Sequence, residues 1–207
     1  MATLEKIAVE LRAMVTGLEQ AQARTAVLET KVLEVTTRIQ AAGFLGIAQN
    51  LVRVKTAVGE VRARLTAVAN DTNEANRPVS AAPREVSPQQ AIAVLTPASE
   101  KLVAATQANA ATIEKVSETQ KLTATVLQGG SPQQLLALLE SIKQVLIIVG
   151  QHAQGARKEL DETLAEVRQA GQYGRPGQPE QADGSDKDKD NKDEKKDDDR
   201  APAGEAA

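Results

Sequence analysis

Residues 4–42 read LEKIAVELRAMVTGLEQAQARTAVLETKVLEVTTRIQAA, and their spacing decides the fold. Leu4, Ile7, Leu11, Met14, Leu18, Ala21, Thr25, Leu28, Val32, Val35, Ile39 and Ala42 follow one another by alternating steps of three and four. Such steps average about 3.5 residues, close to one helical turn, so the series lines a single helix face. After Gly43-Phe44-Leu45-Gly46 the rhythm resumes at Ile47, Leu51, Val54, Val58, Val61, Leu65 and Val68. A stripe this narrow is a seam that other helices must cover. It states what the chain does with its apolar surface and names no activity.

Two further helices are announced by identical tetrapeptides, Ser87-Pro88-Gln89-Gln90 and Ser131-Pro132-Gln133-Gln134. Each predicts Ser at the N-cap, Pro at the first helical position and Gln at the third, a full start signal. The third helix carries Ile92, Leu95, Ser99, Leu102, Thr106, Asn109, Ile113, Val116, Gln120, Thr123 and Leu127 at seam spacing. Five of these eleven are polar; as buried polar residues they would fix register, but five exceed what register needs, and the favoured expectation is a helix loosely docked and open to a partner. Thr96-Pro97 predicts an interruption with a kink, since it offers a new cap and removes a backbone donor. The fourth helix is the most apolar, with Leu135, Leu138, Leu139, Ile142, Val145, Leu146, Val149, Leu160, Leu164 and Val167 on one face.

The predicted fold is all-α: two long antiparallel helical hairpins that form an elongated four-helix bundle, or pair across a dimer as a coiled-coil assembly. The hairpins span residues 1–76 and 88–170, joined by a proline-containing linker over 77–87. From Gly171 to Ala207 Gly, Pro, Asp and Lys dominate, and this tail is predicted to be disordered.

Composition excludes much chemistry. The chain has no Cys, one His and two aromatic residues, Phe44 and Tyr173, so no thiol site is possible and a His-based metal site has little to draw on. The tail segment 183–200 holds nine acids and six bases, leaving the rest of the chain near neutrality. No strongly basic face is implied, and no nucleic-acid partner is predicted. No phosphate-binding loop, nucleophile elbow or metal-ligand spacing is present, so no catalytic, cofactor-binding or metal residues are assigned. Glu159, Asp161, Glu162 and Glu166 read as a solvated face supported by Lys158, and His152 falls on the extended seam register of the fourth helix. The stretch Leu135–Val149 contains Glu140 and Lys143 and is predicted too short and too charged to span a bilayer, so no stable membrane insertion is expected.

Phe44-Leu45-Gly46, in a turn between two helices near the start of a chain with no signal-peptide pattern, resembles the WxG helical hairpins of type VII secretion, with Phe in place of Trp. The resemblance covers residues 1–76 and, in degenerate form, 87–170. It implies hairpins that pair into four-helix bundles and leave the cell without a cleaved signal. The second turn has no aromatic residue, and Tyr173 is followed four residues later by Gly177 where the family's secretion motif has an acid. The Ala-, Val- and Arg-rich body is also similar to uncharacterised actinobacterial helical proteins, which imply no activity.

The expected function is non-enzymatic protein–protein interaction, with another helical protein or a second copy as partner. The contact elements would be the third helix and the turn Gly43, Phe44, Leu45 and Gly46. A cytoplasmic structural or adaptor coiled coil is the alternative, and an amphipathic lipid-surface binder a third class. The expected location is the cytoplasm, or outside the cell after export without a cleaved signal.

Overall fold

The structure, a computed structural model, describes residues 2–82, 87–128 and 130–173. It contains four helices: α1 (Ala2–Ala41), α2 (Leu45–Ala81), α3 (Pro88–Val126) and α4 (Gln133–Tyr173). No strand occurs among the described residues. Each helix packs against two neighbours, α1 on α2 and α4, and α3 on α2 and α4. The two hairpins therefore close on one another within one chain. The disordered tail expected from Gly171 lies outside the described residues beyond Tyr173, and α4 itself runs three residues past the expected end at Ala170.

Polar pairs across the grooves fix an up-down-up-down order. Arg62 pairs with Glu29 between α2 and α1, and Lys101 with Glu74 and Lys115 with Glu60 between α3 and α2. Gln120 donates to Glu140 between α3 and α4, while Arg24 donates to the Ser141 carbonyl between α1 and α4. In every pair the numbers rise along one helix as they fall along the next, so all neighbours are antiparallel. The hydrogen bond and charge of Lys115 hold the Glu60 carboxyl below the ordinary carboxylate range. What that pair contributes is present above the ordinary pKa and is lost as the pH falls through the lowered one.

The seam of α1 is the one the spacing predicts: Ile7, Leu11, Met14, Leu18, Ala21, Thr25, Leu28 and Val32 are all buried. In α2 the buried set runs from Ala48 and Leu51 through Val68 and then on through Thr72, Ala75 and Val79. The helix passes through Pro78 to Ala81, so the expected linker over 77–87 is helical in its first part. Pro78 lies in the last turn, where its missing N–H removes a single bond. Continued burial of Ala75 and Val79 holds the segment in place. Residues 83–86 of the linker lie outside the described part.

The expectation for α3 needs two corrections. The helix runs through Pro97 without interruption, because Pro97 and Ala93 lie on the exposed face. There the carbonyl left without its bond can take water. Nor is α3 loosely docked: Ala91, Leu95, Ala98, Leu102, Ala105, Asn109, Thr112, Val116, Thr119 and Thr123 are buried. At every second position the core takes the residue before the expected one, which brings Ala91, Ala98 and Ala105 inward and leaves Ile92, Ser99 and Thr106 at the flank.

Threonine is compatible with this core because its hydroxyl bonds to its own helix. Thr25, Thr72, Thr112, Thr119, Thr123 and Thr163 each donate to the carbonyl four residues back, so no buried hydroxyl among the described residues goes unpaired. Asn109 behaves differently. Its amide nitrogen donates to the Leu146 carbonyl of α4 at 3.0 Å, while its Oδ1 is the buried side-chain atom without a partner among the described residues.

Two glycines inside helices separate packing from propensity. A Cβ on Gly17 would stand 2.6 Å from Val149 Cγ2, whereas one on Gly59 meets nothing within 4 Å. Val149 is β-branched and buried, so it yields poorly. Gly59→Ala is expected to stabilise the protein by roughly 0.5–1 kcal/mol. Gly17→Ala is expected to destabilise it, since overpacking costs about 1–3 kcal/mol. Urea denaturation of the two variants checks this; equal stabilisation by both would mean that α1 and α4 do not approach as described.

Candidate functional site

Both interhelical turns lie at one end of the bundle, and the α1–α2 turn is the one with chemical character. Gly43 takes a φ of 84° and ends α1. The Gly43 N–H bonds to the Gln40 carbonyl at 2.9 Å and the Phe44 N–H to the Ile39 carbonyl at 3.1 Å, the paired bonds of a Schellman motif. Phe44 then serves as the N-cap of α2, and its carbonyl accepts from the Ala48 N–H at 3.1 Å. The Phe44 backbone thus closes one helix and opens the next, and its side chain makes no capping bond.

That side chain is displayed. Phe44 is 59% exposed, Leu45 66% and Ile47 39%. Residues 41–47 are exposed throughout, and Ala48 enters the core where Ile47 was expected. Only this first position departs from the spacing: Leu51, Val54, Val58, Val61, Leu65 and Val68 are buried as predicted. Phe44 therefore lies at the surface and is not a buried anchor of the turn. A Cβ added at Gly43 or Gly46 would meet nothing within 4 Å, so only the φ of Gly43 constrains its identity.

The α3–α4 turn, at the same end, is polar. Its helix α4 begins at Gln133, and the first bond there runs from the Leu136 N–H to the Pro132 carbonyl at 3.0 Å. The helix start is one residue later than Ser131, Pro132 and Gln134 lead one to expect. Ser87, Pro88 and Gln90 do form the full capping box, with the Ser87 side chain accepting from the Gln90 N–H and the Gln90 side chain from the Ser87 N–H. One tetrapeptide therefore gives two helix starts. The α3 start follows the extended backbone of Ser87, and the α4 start follows a bond from the Gly130 N–H to the Leu127 carbonyl at 2.9 Å.

Far from the turns, Glu5, Lys6, Val9, Glu10, Gly155, Lys158 and Glu159 line a shallow groove of about 360 Å³ between α1 and α4. His152 meets Glu10 there at 2.7 Å and Lys6 meets Glu159 at 3.8 Å. His152 is thus at the flank rather than on the seam, which Ala153 occupies. Lys158 and Glu162 stand 3.9 Å apart, as the solvated-face reading implies. No group of three or more metal-ligating side chains converges among the described residues.

Against the expectation for Leu135–Val149, α4 does contain a stretch long and apolar enough by composition to cross a membrane. Leu135, Leu139, Ile142, Leu146 and Val149 of that stretch are buried in the bundle seam.

Charge around the α1–α2 turn is a feature that seam spacing does not carry, although the sequence displays it. No acid occurs in residues 35–59 or 119–139, the segments that build this end, while Arg38, Arg53, Lys55 and Lys121 do.

Residues 86–172 match the profile of a family described as a family of unknown function, DUF6244. The matched span coincides with the second hairpin, from just before the Ser87 cap to the end of α4. No curated protein and no solved structure matches the chain.

Because Phe44 is exposed, Phe44→Ala is expected to change stability by no more than about 0.5 kcal/mol. Leu51→Ala, two turns on and fully buried, is expected to cost about 2–5 kcal/mol. Chemical denaturation distinguishes them, and a large loss for Phe44→Ala would place that ring in the core.

Proposed function

We propose that this protein is a non-enzymatic interaction protein whose bundle carries the α1–α2 turn as its contact element. The observation that carries the reading is the exposure of Phe44, Leu45 and Ile47 in succession. Burying such a side chain is worth roughly 1.5–3 kcal/mol, so the turn holds a binding contribution that the fold leaves unused. The helix faces also expose Val9, Val27, Leu33, Val52, Ile147 and Ile148, and the turn differs in presenting its apolar side chains from the end of the bundle. All four seams are covered, and a partner that engaged the α3 seam would first have to open the bundle. The turn needs no rearrangement, and its backbone is already fixed by the Schellman bonds.

Export of the type VII kind is a second reading. It is supported by the resemblance of residues 1–76, whose hairpin carries Phe44-Leu45-Gly46 in its turn and packs with a second hairpin into a four-helix bundle. Loss of the protein from culture filtrate on disabling that secretion apparatus is the expected result, and unchanged release would remove this reading.

For the turn itself, a photo-crosslinking residue is placed at position 44 and, as control, at Thr66 on the exposed mid-bundle face of α2. The expected outcome in the native cell is adduct formation concentrated at position 44. Equal labelling at both positions would contradict the proposal.

A further inference from the structure

The sign of charge along the bundle names the chemistry of the surface that the turn meets. Resting on the reading of the turn as contact element, we propose that the α1–α2 end docks peripherally on an anionic lipid surface, with Phe44 and Leu45 entering the headgroup boundary. Arg38, Arg53, Lys55 and Lys121 are all exposed at this end. The nearest acids are Glu34, which already holds Arg38 at 3.0 Å and Lys31 at 2.7 Å, and Glu60, Glu118 and Glu140 further down. At roughly 1.5 Å per helical residue, about the last 10 Å of the helices at this end is free of carboxylates.

The far end is close to neutral, with Glu5, Glu10, Glu159, Asp161, Glu162 and Glu166 in its α1 and α4 segments set against Lys6, Arg12, Arg157, Lys158 and Arg168. A negative surface therefore attracts the turn end in preference to the other, which orients the helices before any apolar contact forms. The apolar side chains project from an exposed turn, and the groove formed by the helices lies at the opposite end. A projecting wedge suits a deformable acyl boundary, whereas a protein partner would have to supply a matching pocket. With three apolar side chains and four bases the contact is reversible and salt-sensitive, and it requires no spanning helix.

The test uses the full chain and sedimentation with vesicles of phosphatidylcholine alone or mixed with phosphatidylglycerol. Wild-type protein is expected to partition onto the anionic vesicles, weaken as salt rises, and bind neutral vesicles about tenfold less or worse. A Phe44→Ser, Leu45→Ser double variant is expected to lose about tenfold or more with an unchanged thermal melt. An Arg53→Gln, Lys55→Gln variant is expected to bind several-fold less and with a flatter salt dependence. The chain has no Trp, so Phe44→Trp gives a single reporter whose emission should move to the blue only with anionic vesicles. Absence of wild-type partitioning, equal partitioning onto neutral vesicles, or insensitivity to the Phe44 and Leu45 changes would each overturn the lipid assignment. Crosslinks from position 44 to a protein, without vesicle binding, would overturn it while leaving the turn as the contact element. Even labelling at positions 44 and 66 would remove that reading as well.

Discussion

A narrow apolar stripe must be covered along its whole length, and this constraint sets how closely the four helices approach. Gly17 lies directly against Val149, and Ala91, Ala98 and Ala105 recur every seventh residue in the α3 core. Small residues at these points bring backbones together and leave the larger Leu and Ile side chains of neighbouring turns to interdigitate. With almost no aromatic volume available, close approach takes the place of bulk. The same constraint carries α2 through Pro78, beyond which Val79 is still buried.

Within that seam the polar residues divide into two kinds. The threonines are satisfied by their own helices and act as Val-like fillers with respect to their neighbours. Asn109 reaches across to α4, and its unpartnered Oδ1 is the accompanying cost, about 1–3 kcal/mol for a buried acceptor left unmade. Buried Asn at a seam position fixes register in coiled coils. Here its bond to the Leu146 carbonyl joins α3 to α4 in one alignment, and the pairs Lys115–Glu60 and Lys101–Glu74 align α3 with α2.

The helices, their order and the α1 seam were legible because heptad spacing encodes a periodic surface, and periodicity survives any uncertainty about neighbours. Details that depend on the partner helix were not legible. The α3 core slipped by one residue at alternate turns because spacing alone does not say whether Ala91 or Ile92 faces inward; only the depth of the groove does. Ile47 is exposed for a related reason: Ala48 takes the first core position of α2 while Leu51 to Val68 keep the predicted phase, and spacing alone does not say where the seam meets the turn. Phe44 stands in that turn, and its exposure follows from its place ahead of the first core position. The surrounding run of bases without acids was present in the sequence throughout and needed only the fold to gather residues 35–59 and 119–139 at one end.

Closure of both hairpins within one chain removes the seams as binding surfaces and leaves the turn. The approach of Gly17 to Val149 gives the direct test, because the position a Cβ would take at residue 17 lies 2.6 Å from Val149 Cγ2, within reach of a disulfide between the two residues. The chain has no other thiol to interfere. Gly17→Cys, Val149→Cys protein is oxidised and run on a non-reducing denaturing gel with thiol counting. The predicted result is a thiol-free band at the mass of one chain, 21.9 kDa, migrating faster than its reduced form. A disulfide-linked dimer, or two free thiols, would contradict closure within one chain.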